Sequence, residues 1–422
     1  MTSICFYFQV HQPFRIREYQ FDEIGTNHFY EDYEKNFEIL NKVADKCYLP
    51  TNAKMLELIK RHKGKFKISY SISGVALEQF EQYRPEVIES FKKLVDTGCV
   101  EILSETYYHS LSFLYSKKEF ERQVKKHYEK VRQLFGVEPK IFRNTELIFS
   151  NEIAQYVSEM GFNGMMCEGV DRFLSERTSN FVYESPGVSG LKLLLKNYKL
   201  SDDIAFRFSN KEWKDYPLTA EKFAHWVHGH AGDAECINLF MDYETFGEHQ
   251  WKETGIFDFL DALPEKIFTH PDFDFKIPSE VIENFPVRDI YDVPYYTSWA
   301  DAERDLSAWN ENKMQKFSLH KIYSLEKAVK KTGSNDLIDI WAKLTTSDHF
   351  YYMSTKFWSD GDVHKYFSPY NSPYDAHIFY LNVLNDFEKT IKTFLPVKAN
   401  LKMKLPVKSA ARQKKVLLQT SP

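Results

Sequence analysis

Seven short runs, apolar and rich in β-forming residues, punctuate the first 241 residues: ICFYFQV (4–10), FKISYSI (66–72), CVEIL (99–103), KIFRN (140–144), GMMCE (164–168), LKLLLKNY (191–198) and CINLFM (236–241). A strand with one face in water alternates apolar and polar residues. These runs do not, so they read as strands covered on both faces. Helical patterns fill most of the intervals. Pro85 opens one after Tyr83-Arg84, with Val87, Ile88, Phe91, Leu94 and Val95 on one face and Gly98 beyond its end. Ser116-Lys117-Lys118-Glu119 is a capping box that starts another, closed by Gly136. Ser150 and Thr219 open two more.

Strands alternating with helices specify a parallel sheet. Seven or so such units fit a closed or nearly closed β/α barrel in the α/β class better than an open sheet, with a doubly wound sheet as the alternative. The Gly-rich turn of dinucleotide-binding folds is missing, since HQPF follows the first strand. Beyond about residue 260 the strand patterns stop. Ser298-Trp299-Ala300-Asp301 reads as the cap of a long helix ending near Gly333, a second helix covers 335–353, and Ser372-Pro373 with Asp375 caps a third. The expected organisation is a β/α barrel over 1–260, a helical region over 261–395 packed on it, and a basic, flexible tail over 396–422.

Composition narrows the function classes. Apolar residues make up 43% of 422, enough for a large core, and no apolar run reaches the length of a membrane span. The net charge of −5 argues against nucleic acid as partner. It divides unevenly: the tail contributes +7, leaving −12 on the body. The N-terminus lacks a basic segment, an apolar stretch and a cleavage site in series, so a cytoplasmic location is expected. Five scattered cysteines form no C-x-x-C pair, which speaks against a zinc or disulfide framework. Oligomeric state leaves no mark in the sequence.

In parallel β/α folds, ligands meet the carboxyl ends of the strands. That rule selects His11, Glu105 and His109, Glu146, Glu168, Asp202 and Asp203, and Asp242 with Glu244, Glu248 and His249. Carboxylates, histidines and aromatics on one rim suit a neutral, hydroxyl-rich ligand. Two carboxylates flanking a glycosidic oxygen can hydrolyse it when one is kept protonated and the other ionised. Tyr107 and Tyr243 are aromatics expected to offer stacking platforms, while Trp299 and Trp309 read either as platforms or as packing between barrel and helices. His225, His228 and His230 precede the last strand and so fall near the opposite face.

Five ordered segments resemble glycoside hydrolase family 57, in its α-amylase-like branch: HQP (11–13), GCVEILSE (98–105), FRNTEL (142–147), MDYETFGEH (241–249) and WADAERDLSAW (299–309). Cys99 departs from the Gln usual in the second. The resemblance implies an incomplete seven-stranded β/α barrel over 1–260 that carries the catalysis, followed by a C-terminal helical bundle over 261–395 that completes the active site. It implies a retaining enzyme cleaving α-1,4-glucosidic bonds, with Glu146 as nucleophile and Asp242 as general acid/base. It also implies a sugar site including His11, Glu105, His109, Trp299, Asp305 and Trp309, an α-glucan as the binding partner, and no metal or organic cofactor. A 4-α-glucanotransferase or branching enzyme would use the same double displacement. A non-catalytic glucan-binding protein would keep the pocket without turnover. A metal-dependent deacetylase or mannosidase would need a His/Asp ligand cluster on the rim, and no H-x-x-x-H occurs there.

Overall fold

The computed structural model describes residues 1–356 and 368–395, so the basic tail expected at 396–422 lies outside the described residues. Among the described residues ten strands occur in chain order: β1 (Thr2–Val10), β2 (Ile68–Ile72), β3 (Val100–Ile102), β4 (Ile141–Arg143), β5 (Gly164–Glu168), β6 (Val182–Ser185), β7 (Val188–Lys196), β8 (Cys236–Asp242), β9 (Phe273–Phe275) and β10 (Val287–Ile290). Seven of them form a ring of parallel neighbours. β1 pairs with β2 and β8, β2 with β3, β4 with β5, β5 with β7, and β7 with β8. The seven ring strands are the seven apolar runs.

The ring closes at two thin joints. Between β3 and β4 the contact is a single bridge, Ser104 to Phe142, with Ser104 N–H donating to Ile141 O (3.0 Å) and Arg143 N–H to Ser104 O (2.8 Å). Between β7 and β8 one residue pair, Lys196 and Asn238, is in register. Asn238 reinforces it by donating its side-chain amide to Leu195 O at 2.9 Å.

Burial on both faces explains the unalternating strands. Along β1, Ile4, Phe6, Phe8 and Val10 join a core shared with the surrounding helices, while Cys5 and Tyr7 face the barrel interior with Phe240, Leu194, Met166 and Ile141. Side chains two apart along a strand share a face. The same parity therefore turns Gln9, Arg143, Glu168, Lys196 and Asp242 inward, each at or near the carboxyl end of its strand.

Three strands were not legible in sequence. β6 runs antiparallel to β7, as a hairpin turning at Gly187 (φ +70°). β9 adds to β1 and β10 to β6, so strands continue past residue 260. β9 and β10 are three and four residues long, too short for a periodic pattern.

The helical segments expected beyond residue 298 are more broken than predicted. Residues 298–306 form a loop, followed by helices Ser307–Asn310, Lys313–Ser324 and Glu326–Thr332. Ser298 ties this loop instead of capping a helix, since its hydroxyl donates to Asp305 O and accepts from Ala300 N–H. Asn312 caps the second helix, accepting from Gln315 N–H. The helix expected over 335–353 is interrupted between Lys343 and Ser347. There Thr345 donates its hydroxyl to Ala342 O, a local bond that competes with the helical ladder, and Thr346 donates to Tyr108 O after β3. The cap at Ser372 appears as expected, opening Pro373–Phe394. The interruption at 344–346 stitches the helical region to the loop after β3: Ser347 N–H also donates to His109 O at 2.9 Å.

That loop rests on Gly74, the first residue of helix Gly74–Tyr83. A β-carbon there would lie 2.4 Å from ring carbons of buried Tyr107. Gly74→Ala is expected to displace Tyr107 and lower stability by about 1–3 kcal/mol, read as a fall in urea midpoint at unchanged slope.

Candidate active site

The chain leaves β4 at Arg143 and turns at once through the one-turn segment Thr145–Leu147. Glu146 and Leu147 have φ of 57° and 50°, the left-handed region that costs a non-glycine residue about 1–3 kcal/mol. Trp299, from the loop after the barrel, holds this turn. Its backbone N–H donates to Glu146 O (3.2 Å) and its indole N–H to Glu146 Oε2 (2.8 Å). Leu147 anchors the other side in the barrel interior. Glu146 keeps 21% of its side-chain surface, so its carboxylate is fixed but reachable.

The second oxygen of Glu146 meets His109. His109 Nε2 lies 3.0 Å from Glu146 Oε1 and Nδ1 lies 3.0 Å from Glu105 Oε2. Both nitrogens face carboxylate oxygens, so both donate and the ring is an imidazolium. Burial works against that charge. The hydrogen bonds to Glu105 and Glu146 overcome it and raise the His109 pKa to about 9. Burial likewise pushes Glu105 and Glu146 upward, and the bonds and charge of His109 win in both cases. Glu105 falls to about 2 and Glu146 below its ordinary value. The other oxygen of Glu105 accepts from Gln9 Nε2 (3.1 Å), and Gln9 Oε1 accepts from the hydroxyls of Tyr7 and Ser71, each at 2.9 Å.

His11 stacks on His109, with ring centroids 3.9 Å apart and planes at 22°. Its own nitrogens are engaged elsewhere. Ser73 Oγ accepts from Ala76 N–H and gives its proton to His11 Nδ1 (2.7 Å), which leaves Nε2–H to donate to Asp348 Oδ2 (2.9 Å). Burial and the neighbouring His109 charge lower the His11 pKa, consistent with a neutral ring. Neither histidine presents a free nitrogen.

Asp242 ends β8 on its inward side. Burial raises its pKa to about 6, and the charge of Glu146 adds to the rise. The two carboxyl groups are thus shifted in opposite directions. Past Asp242, the chain makes a close turn: Gly247 has φ +110°, and a β-carbon there would fall 2.0 Å from Lys46 O. A glycine in MDYETFGEH is therefore a geometric requirement. A further charge cluster borders the site. Lys196 pairs with Asp202 (3.0 Å) and Glu168 (3.6 Å), and Arg304 with Glu168 (3.3 Å) and Asp202 (3.4 Å).

Of the residues expected from sequence, the structure brings together His11, Glu105, His109, Glu146, Asp242 and Trp299. Asp305 and Trp309 are placed differently. The Asp305 carboxylate accepts from the backbone N–H of Ser307 (2.8 Å), the first residue of the short helix there. Trp309 is 1% exposed, its ring against Tyr351. Tyr107 and Tyr243 are also core residues, 2% and 0% exposed, and offer no stacking surface. Both carry hydroxyls with internal partners, Glu78 for Tyr107 and Asn52 for Tyr243, which lets a tyrosine serve as packing. His228 lies away from the rim, donating Nε2–H to Ile267 O.

Sequence reasoning missed Gln9, Arg143, Lys196 and Asp348 as parts of the site. The first three carried a signal, a polar residue in phase with the inward positions of an apolar strand. Asp348 carried none, because 337 residues separate it from His11.

Residues 5–294 match the family model for glycosyl hydrolase family 57. The chain belongs to this family. A Methanocaldococcus jannaschii protein bearing the provisional name alpha-amylase is 45% identical over 405 residues, covering 93% of this chain and 85% of the relative. Among solved structures, a GH57-type branching enzyme from Pyrococcus horikoshii superposes with a TM-score of 0.65 at 14% identity, over 87% of each chain. An α-amylase from Thermotoga maritima gives 0.63 at 15% identity, over 94% of each. The likeness to these structures shows the fold, a family 57 barrel followed by helices. The family 57 match ends before Trp299 and Asp348, so two of the groups fixing the site's histidine and glutamate lie beyond it.

The raised Asp242 pKa has a consequence for stability in this family 57 enzyme. A carboxyl whose folded pKa lies above its unfolded value of 3.8 costs stability as pH rises between the two, and the full cost is present above about 6. Asp242→Asn removes that cost. We expect it to stabilise the fold at pH 8 by on the order of 1–3 kcal/mol and to change little at pH 3, measured by chemical denaturation at both values.

Proposed function

We propose that this family 57 enzyme hydrolyses α-1,4-glucosidic bonds in starch-like glucans with retention of configuration, Glu146 acting as nucleophile and Asp242 as general acid/base. The observation that carries this reading is the opposite tuning of two adjacent carboxyls on one barrel rim. Glu146 is held ionised by His109 and Trp299, whereas Asp242 is pushed up to about 6 by burial and by the Glu146 charge. A nucleophile must be charged and an acid must carry its proton, and their environments divide these tasks. The α-amylase name of the Methanocaldococcus relative supports the substrate class.

In the first half-reaction Glu146 attacks the anomeric carbon as the glycosidic C–O bond breaks, and Asp242 delivers its proton to the leaving oxygen. In the second, Asp242 takes a proton from water, and the hydroxide oxygen displaces Glu146. His109 and Trp299 act on the nucleophile as positioning residues. Each holds one carboxylate oxygen, so rotation of the group away from the attacking line is restricted.

Maltoheptaose tests the reading. Glu146→Gln is expected to lose turnover by at least about a thousandfold and Asp242→Asn by about a hundred- to ten-thousandfold. By NMR, the first-formed anomer is expected to be α. Turnover by both variants at the wild-type rate, or a β product, overturns the assignment. Products longer than seven sugars would identify transfer to a second glucan as the dominant outcome. The pH profile of kcat/KM is expected to fall above about 6, where Asp242 loses its proton, and to hold on the acid side to below the ordinary glutamate range.

A further inference from the structure

Arg143 is the largest charged side chain fully enclosed in the barrel, and its guanidinium is used by no bond described above. It is 0% exposed, and among the described residues none of its three side-chain nitrogens has a hydrogen-bond partner. A buried cation without bonded partners is among the costliest groups a fold can hold. Sheet geometry puts it there by design, at the last inward position of β4, three residues before Glu146. Its guanidinium carbon lies 5.0 Å from the centroid of Trp299, whose indole N–H holds Glu146. The titratable groups that feel its charge belong to four strands or the turns just after them: Tyr7 within β1, Glu105 after β3, Glu146 after β4 and Asp242 at the end of β8. Two other cations share the space, His109 between Glu105 and Glu146, and Lys196, 5.3 Å from the Trp299 ring centroid.

We propose that Arg143 is a fixed counter-charge beneath the two catalytic carboxyls, left unpaired so that its field acts on Glu146, Asp242 and Glu105 together. A salt bridge would spend the charge on one partner. An enclosed guanidinium without a partner acts on all three through low-dielectric surroundings, where charge–charge interactions are strongest. An arginine suits this task because it stays protonated in any environment, whereas a buried lysine can lose its proton. Arg143 thus balances a site in which three carboxyls crowd together, and it limits how far Asp242 is driven upward. It is a positioning residue in the electrostatic sense and touches no substrate. The inference deepens the acid/base reading given above and rests on it for the assignment of each pH limb.

The test replaces Arg143 by Met, by Gln and by Lys in the full chain. Two measurements follow: the pH dependence of kcat/KM on maltoheptaose, and carboxyl titration by NMR with carbon-13-labelled Asp and Glu, without substrate. Arg143→Met and Arg143→Gln are expected to move both limbs and the Asp242 and Glu146 midpoints upward by about half a unit or more. Arg143→Lys, which restores a charge, is expected to lie nearer wild type. Folded neutral variants whose midpoints stay at wild-type values overturn the proposal. So does failure of both neutral variants to fold beside a folded Lys variant, since the charge then serves the fold. Titration without substrate separates this outcome from failure of the reaction assignment, which the Glu146 and Asp242 variants read.

Discussion

The site depends on one imidazolium. His109 bridges Glu105 and Glu146 with two bonds of 3.0 Å, in a place where water reaches almost none of His109 and Glu105 and only part of Glu146. Each of these groups alone would be neutral there, because burial opposes every charge. Together they stay ionised, since each carboxylate is paid for by the same ring. Breaking one partner of such a buried set leaves an uncompensated charge, a heavier loss than any surface ion pair carries. The neutral His11 stacked on this ring fits the same balance: a second imidazolium at 3.9 Å would repel the first. Ser73 and Asp348 occupy its two nitrogens, and the proton of Nε2 already serves Asp348.

This arrangement needs two bodies of structure to meet. The barrel supplies Glu105, His109, Glu146 and Asp242 from strand ends. The later chain supplies Trp299 and Asp348, and its Ser347 N–H pins the His109 carbonyl. The interruption of the helix at 344–346 is what lets Asp348 reach His11. The loss of regular helix there is therefore compensated by the contacts that the break permits, and the left-handed backbone at His109 and Glu146 is held in the same way. Strained residues concentrated in the active site are a known economy of folds, provided the surroundings over-determine them. Here Trp299 and Leu147 do so for Glu146.

Much of the barrel was legible because burial on both faces removes polar alternation, and seven runs did so. The same logic, read one step further, finds functional positions. In β8, Cys236, Asn238 and Phe240 share a face with Asp242, and in β7 Leu194 shares a face with Lys196, so a charged residue in inward phase must point into the barrel. What stayed illegible was either very short or very distant. β9 and β10 carry three and four residues, and β6 is a hairpin arm whose direction no propensity encodes. Tyr107 and Tyr243 misled because an aromatic beside a catalytic motif looks the same in sequence whether it faces sugar or core. Their burial is decided by Gly74 and by the helix around Asn52, neither of which adjoins them in the chain.

The pairing of a low Glu146 with a high Asp242 also has a direction in time under the proposed double displacement. Asp242 is raised first by burial, which does not change during the reaction, and then by the negative charge of Glu146, which does. When Glu146 becomes a glycosyl ester its charge disappears. One cause of the raised Asp242 pKa goes with it, while the fixed cations Arg143 and Lys196 remain and pull downward. Asp242 then gives up a proton more readily than before, at the stage where its task changes from donating to the leaving oxygen to accepting from water. In the proposed scheme the same residue can serve as acid and then as base because its neighbour's charge is consumed between the two steps. The cations around the site bias the exchange without taking part in it.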